Sequence, residues 1–279
     1  MTSKQRVRQA VALGLLGLVA LLSACQTTGD GLRAPYEGRH VWAVAPLRNE
    51  SGSQAVNSVK LADKLAQRLE TVRGIEVLPV NRVLAAMRQL RLRGIASRGQ
   101  AMKLLTALQA DGLVLGNITA YEPYEPPKLG LALELYTTLG RPGAPLDVRA
   151  LTKSPTGRSA EPQQRRATQP VSSVSAVFDA SEPAVAEMLG DYAAERANTQ
   201  AEAGAERLYR ISMDRYSEFA SYAIVKRLLN AEKARLKRER KAIARARRQR
   251  QKQQEKEAKQ TRDATGQARA PGQESESTR

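Results

Sequence analysis

The two side chains of this chain best suited to catalysis, metal binding or covalent modification are its one cysteine, Cys25, and its one histidine, His40. Any Ser-His-Asp triad would have to be built on His40, and no G-x-S-x-G nucleophile turn is present. One cysteine and one histidine do not make a recognisable metal site, and no glycine-rich phosphate-binding motif occurs. The sequence therefore predicts no catalytic residue, no metal ligand and no cofactor, and we do not expect an enzyme.

Cys25 follows a segment with the organisation of a secretory signal. Three basic residues fall within the first eight positions, and residues 10–24 carry no charge. Fifteen residues are too few for a membrane-spanning helix, which needs about 20, but they fit the apolar region of a signal peptide. The segment ends in Leu22–Cys25 (LSAC), with small residues directly before the cysteine.

That ending resembles the lipobox of bacterial lipoproteins. The resemblance implies cleavage between Ala24 and Cys25, diacylglycerol on the Cys25 thiol and a further acyl chain, such as palmitate, on the new amino terminus. Two or three acyl chains anchor a protein stably, whereas one does so only marginally. Gln26, in place of Asp, implies the outer membrane, facing the periplasm. The alternative is an ordinary signal peptide with a chance cysteine, and either way one cysteine allows no disulfide within a molecule.

The rest of the chain is basic and poor in aromatic residues. Removal of residues 1–24 would leave 255 residues and lower the formal charge from +17 to +14. With two Phe, one Trp and eight Tyr, the core must consist mainly of Leu, Val, Ile and Ala. This length fits one sizeable domain with extensions, or two small domains.

Hydrophobic periodicity predicts alternating strands and helices after a polar lipidated tether at 25–39. The predicted strands are His40–Leu47, Ile75–Leu78, Leu113–Tyr121, Leu129–Leu139 and Val171–Phe178. The predicted helices span Val56–Val72, Pro79–Leu92 and Gly99–Ala110, with others beginning near Glu182 and Ala205. The helix from Ala205 is expected to bury one apolar face, formed by Leu208, Ile211, Phe219, Tyr222, Val225 and Leu229. This order predicts a small α/β mixed-sheet sandwich whose early strands are parallel, with helices on both faces.

The remaining segments have compositions that do not favour a packed core. We predict a disordered insertion at 140–170, which is rich in proline and basic residues. The α/β domain would span 40–230, followed by a basic helical arm at 231–262 and a disordered tail at 263–279.

Two motifs resemble a group of bacterial envelope domains. These motifs are Val41–Gly52 (VWAVAPLRNESG) and Leu108–Ile118 (LQADGLVLGNI). The group includes the curli-secretion lipoproteins, the outer-membrane lipoproteins that activate penicillin-binding proteins, and the amino-terminal domain of the Tol-Pal propeller protein. The resemblance implies a small α/β domain that binds other envelope proteins. The insertion lacks the apolar alternation of a pore-forming hairpin, and the basic arm lies outside the group's pattern.

Two candidate binding surfaces emerge from the domain segment. Asn49, Ser51 and Gly52 lie where a first strand meets a helix, and backbone amides there could hold an anion; the alternative is an ordinary capped turn. Tyr121 and Tyr124, in the proline-rich segment YEPYEPP, could form an exposed protein-binding ledge or simply pack an edge strand.

The basic arm carries most of the excess charge. Between Lys226 and Arg262 there are 16 Lys or Arg and 4 Glu, a surplus of 12. Such a surplus attracts polyanions, and in a periplasm these are anionic lipid or wall polymer, with no nucleic acid expected. Heptad spacing of Leu229, Leu236 and Ile243 could instead seed a coiled coil, and a solvated helix without a partner is the third alternative.

The sequence thus predicts a non-enzymatic, membrane-anchored envelope lipoprotein that acts as a protein-interaction or scaffold module. Regulation of a peptidoglycan synthase is the specific form of this hypothesis. The alternative is an oligomeric secretion or assembly component of the outer membrane.

Overall fold

The computed structural model describes residues 31–139, 170–196 and 204–267, with side chains up to 256. The predicted signal peptide, Cys25, residues 140–169 of the predicted insertion and residues 268–279 of the predicted tail lie outside the described residues. Those predictions therefore stay as they were made from the sequence.

A six-stranded mixed sheet forms the centre of the domain. Its strands are β1 (His40–Val44), β2 (Arg48–Asn49), β3 (Ile75–Leu78), β4 (Gly112–Glu122), β5 (Lys128–Thr137) and β6 (Ser172–Asp179). The order is β3-β1-β4-β5-β6, and the short β2 pairs with β4. β1 pairs in parallel with β3 and β4, whereas β5 is antiparallel to both β4 and β6. The predicted mixed sheet with parallel early strands is confirmed.

The first strand is shorter than predicted. The sequence predicted one strand from His40 to Leu47, but β1 ends at Val44 and pairing resumes at β2. Pro46 lies in the gap, and a proline has no amide hydrogen for a ladder hydrogen bond. The break directs the chain onto a second part of β4, where Arg48 is paired with Asn117.

Six helices are described, and they cover both faces of the sheet. They are α1 (Ser58–Glu70), α2 (Val80–Gln89), α3 (Arg98–Leu108), α4 (Pro183–Ala194), α5 (Ala205–Ile211) and α6 (Met213–Gln267). One buried cluster joins α1, α4 and α6 to the alternating leucines of β5, and a second joins α2 and α3 to the opposite face. The predicted two-sided packing is confirmed.

The prediction of one buried apolar face from residue 205 onward is wrong for its first residues. Leu208 and Ile211 were expected to be buried, but they are 55% and 52% exposed. The helix is interrupted at Ser212, which has extended backbone angles, so α5 and α6 do not share one helical phase. Tyr209 is the residue of α5 that enters the core.

The N-terminal segment is attached to the domain over residues 31–39, although 25–39 was predicted as a tether. The Ala34 amide donates a 2.9 Å hydrogen bond to the Arg73 carbonyl, and the Arg73 amide donates to Leu32. Ala34 is buried, and Tyr36 packs against the main core. Backbone pairing and these apolar side chains hold a segment whose overall composition is polar.

Helix α6 first closes the core and then leaves it. Its early turns pack against α1 and β6, with Phe219, Val225 and Leu229 buried. The predicted domain end at 230 falls within this packed part, because Glu232 is fully buried. At 1.5 Å per residue, its 55 residues extend over about 80 Å. None of the helices in the described ranges is both long and apolar enough to cross a bilayer.

Candidate interaction surfaces

A buried carboxylate, Glu232, joins three distant parts of the chain. Its Oε1 accepts a 2.6 Å hydrogen bond from the Tyr36 hydroxyl, and its Oε2 accepts a 2.5 Å bond from the Ser172 hydroxyl. Arg235 donates to both oxygens, from Nη2 at 2.6 Å and from Nε at 2.8 Å. Arg235 Nη1 also donates to Glu239 Oε2 at 2.7 Å. We call Tyr36, Ser172, Glu232 and Arg235 the Glu232 cluster.

The electrostatics of the Glu232 cluster favour a fixed arrangement. Burial raises the pKa of the Tyr36 phenol well above its usual range, and the hydrogen bond to Glu232 raises it further. The phenol therefore remains a hydrogen-bond donor under all physiological conditions. The hydrogen bond to Glu232 likewise raises the pKa of Arg235. A buried carboxylate that accepts four hydrogen bonds is satisfied, whereas removal of its partners would leave a costly buried charge.

The sequence analysis did not identify this cluster. One local signal was present: Glu232 continues the spacing of the buried Val225, Leu228 and Leu229 on α6, so an acid stands on an apolar stripe. No local pattern, however, could identify Tyr36 as its partner, 196 positions away in the sequence.

The predicted binding turn is held by its own hydrogen bonds. Asn49 Oδ1 accepts from the Ser51 amide at 3.1 Å and from the Ser51 hydroxyl at 2.7 Å. Asn49 Nδ2 donates to the Ser53 carbonyl at 2.7 Å. Gly52 has a φ of +76°, which favours glycine. Helix α1 begins only after Asn57, whose side chain caps it. The hydrogen bonds support the capped-turn alternative, and anion binding there stays a prediction.

The predicted tyrosine ledge is exposed at one of its two residues. Tyr124 lies between β4 and β5 and is 84% exposed, whereas Tyr121 is partly buried and packs against the main core. Burial also raises the pKa of Tyr121. Tyr121 therefore supports the strand end, and Tyr124 is the residue that a partner could contact.

His40 connects two strand ends. Its Nε2 lies 2.7 Å from the Glu37 carbonyl oxygen, and its Nδ1 lies 3.6 Å from the Asp111 carboxylate. The same Asp111 oxygen accepts a 2.9 Å hydrogen bond from the Val41 amide. These contacts fasten the start of β1 to the start of β4. Within the described ranges, no cluster of three or more metal-ligating side chains was found.

The basic arm begins directly after the Glu232 cluster. From Lys233 to Arg250, most Lys and Arg side chains of α6 are exposed. Arg235 is the exception, because it is partly buried and pairs with Glu232 and Glu239. A cleft of about 510 Å³ lies between Pro35 and the first turns of the arm, with the cations Lys233, Lys237, Arg240 and Lys241 on its lining.

Comparison with known proteins gives structural neighbours only. No protein-family model and no curated protein sequence matches this chain. The LpoB C-terminal domain from Salmonella enterica is similar at 17% identity and a TM-score of 0.31, over 39% of this chain and 76% of that one. The lipoprotein GNA1162 from Neisseria meningitidis is similar at 17% identity and a TM-score of 0.35, over 57% and 99% of the two chains. The hypothetical protein CT253 from Chlamydia trachomatis is similar at 10% identity and a TM-score of 0.31, over 71% and 96%.

The solved structures to which this chain is similar include LpoB domains and a lipoprotein. This agrees with the resemblance predicted from the two motifs. At such identities and TM-scores the likeness assigns neither activity nor partner.

The Glu232 cluster makes a testable prediction about stability. We expect Glu232→Ala to lower the free energy of unfolding by about 3 kcal/mol, because Arg235, Tyr36 and Ser172 all lose their acceptor. Urea denaturation would measure the change. The matched control is Glu239→Ala, which removes a partly exposed partner of the same Arg235 and should cost at most about 1 kcal/mol. Equal losses in the two variants would contradict a structural role for the cluster.

Proposed function

We propose that this chain is a non-enzymatic lipoprotein of the bacterial cell envelope, anchored through acylated Cys25 and facing the periplasm from the outer membrane. Its α/β domain acts as a binding module for another envelope protein. The finer proposal is that the partner is a peptidoglycan synthase, as the sequence resemblance to activators of penicillin-binding proteins implies. In this proposal the signal peptide is cleaved between Ala24 and Cys25, and acyl chains on Cys25 hold the chain in the membrane.

One observation supports this proposal: residues 31–39, which follow the predicted anchor, are attached to the domain. Tyr36 is bound to the buried Glu232, and Ala34 is paired with Arg73. Gly31, the first described residue, is six positions after Cys25, and six residues span at most about 20 Å. A domain attached in this way would be kept close to the membrane that holds the acylated cysteine.

The arrangement of the polar residues fits binding better than catalysis. His40 contacts the Glu37 carbonyl and the Asp111 carboxylate, and the second contact joins the start of β1 to the start of β4. Tyr124 instead lies in the β4–β5 connection with most of its side chain exposed. Exposed tyrosines are common in protein interfaces, where the ring buries apolar area and the hydroxyl donates a hydrogen bond.

The anchor is tested by the mass and the location of the mature chain. We expect an amino-terminal Cys25 carrying diacylglycerol and a third acyl chain, and retention of the chain in the membrane fraction. Cys25→Ser should remove the acyl chains and leave the signal peptide uncleaved, because modification and lipoprotein cleavage both require the thiol, so the chain should be lost from the outer-membrane fraction. A mature chain with an unmodified Cys25, which stays soluble without detergent, would contradict the proposal.

The binding module is tested by crosslinking in intact cells. A photoreactive amino acid at Tyr124 should capture one envelope protein, identified by mass spectrometry, and a synthase under the finer proposal. Leu208 offers a matched control, because it is also an exposed apolar side chain but lies on α5. The same products from both positions, or no product at Tyr124, would contradict a binding surface at the β4–β5 connection.

A further inference from the structure

The cations of the arm are concentrated on one side of α6. At about 100° per residue, ten of the twelve Lys and Arg residues between 233 and 256 fall within one half of the helix circumference. We call this half the cationic face. The two remaining cations lie on the other half: Arg235, which is paired with Glu232, and Arg250. In the same interval the cationic face carries one acid, Glu255, whereas Glu239 lies on the other half.

The charge of the cationic face is not neutralised by the domain. Within the described part of the chain, the ion pairs of the arm all involve Arg235, and Lys233, Lys237 and Arg240 have no acidic partner. These side chains are exposed. A merely solvated helix would gain nothing from sorting its cations to one side, since charges dispersed around the helix would repel each other less.

The cationic face begins at the cleft beside Pro35. The lining of this cleft combines four cations with the apolar residues Pro35, Leu236 and Ala244. Long basic side chains can lay their methylene stems along such a surface and extend their charged ends outward. Apolar side chains next to a row of cations also occur on helices that lie in the interface of an anionic membrane.

The position of the cleft in the chain favours a membrane as the occupant, an inference that rests on the anchor under the proposed function. Pro35 is ten residues after Cys25, and ten residues span at most about 35 Å. The cleft is therefore confined to the neighbourhood of the leaflet that holds the acyl chains. Electrostatic attraction falls off over a Debye length of about 8 Å at physiological salt, so this confinement is what makes a charged contact effective.

We propose that the cationic face of α6, starting at the Pro35 cleft, is a second membrane-contact site that binds the phosphate-bearing headgroups of the anionic leaflet in which Cys25 is anchored. An acyl anchor alone leaves the domain free to rotate about its attachment. A second contact would fix which side of the domain faces the membrane and would lay the first turns of the arm along the surface.

The test uses the full acylated chain in vesicles. An environment-sensitive fluorophore is attached at Ala244→Cys, where the new thiol is the only free one because Cys25 is acylated. The vesicles contain either phosphatidylcholine alone or equal parts phosphatidylcholine and phosphatidylglycerol. We expect a blue shift at Ala244 only in the anionic vesicles, reversed by high salt. The control position is Ala246→Cys, on the opposite side of the helix, which should not respond.

Matched charge variants then locate the contact. A basic residue at an anionic surface strengthens binding about fivefold. Lys237→Gln should therefore lower the ratio of membrane-bound to free arm about fivefold, whereas Arg250→Gln removes the same charge outside the cationic face and should change it little. Neutralising Lys233, Lys237, Arg240 and Lys241 together should abolish the shift.

The outcomes separate the two proposals. If the chain is retained on neutral vesicles but Ala244 does not respond to phosphatidylglycerol, the membrane-contact site is wrong while the anchor stands. If the chain is lost from neutral vesicles, the anchor fails and the contact site fails with it. Equal responses at Ala244 and Ala246, or a response to a soluble anionic wall polymer and not to vesicles, would also overturn the site.

Discussion

The need to satisfy a buried carboxylate is the constraint on which the arrangement of this molecule depends. Glu232 is completely buried, and an unpaired carboxylate in such a place would be strongly destabilising. Tyr36, Ser172 and Arg235 meet that need from the N-terminal segment, from β6 and from α6 itself. The carboxylate is satisfied only when these three elements assemble. The point where α6 leaves the core is therefore fixed relative to the N-terminal segment and to β6.

This constraint brings residues 34–36 and the start of the basic arm next to each other. Residues 31–39 are held through Ala34 and Tyr36, and the arm starts within one helical turn of Glu232. The central sheet supports this arrangement because β1, which follows the N-terminal segment, lies between β3 and β4. Tyr124, at the β4–β5 connection, then belongs to the domain and not to the anchor or the arm. An attached N-terminal segment, an exposed tyrosine and a charged extension are thus combined in one chain.

Local sequence patterns were sufficient to predict most strands and helices of the fold. The alternating leucines of β5 predicted a strand with one buried face, and Ile75–Leu78 was predicted with the bounds that the structure has. Patterns failed where a contact joins distant residues or where a helix changes phase. Residues 31–39 have a polar composition, yet pairing with Arg73 and burial of Ala34 hold them. Ser212 interrupts the helix, so residues before and after it do not share one face. The spacing that predicted Leu208 in the core therefore does not apply.

The central claim is that residues 31–39 are part of the folded domain and not a free tether. Native-state hydrogen exchange at the Ala34 amide, which donates to the Arg73 carbonyl, tests it most directly. We expect protection similar to that of amides in β1 and β3, because exchange would require the N-terminal segment to detach from the core. Exchange at the rate of an unstructured peptide, with β1 and β3 protected, would contradict the claim.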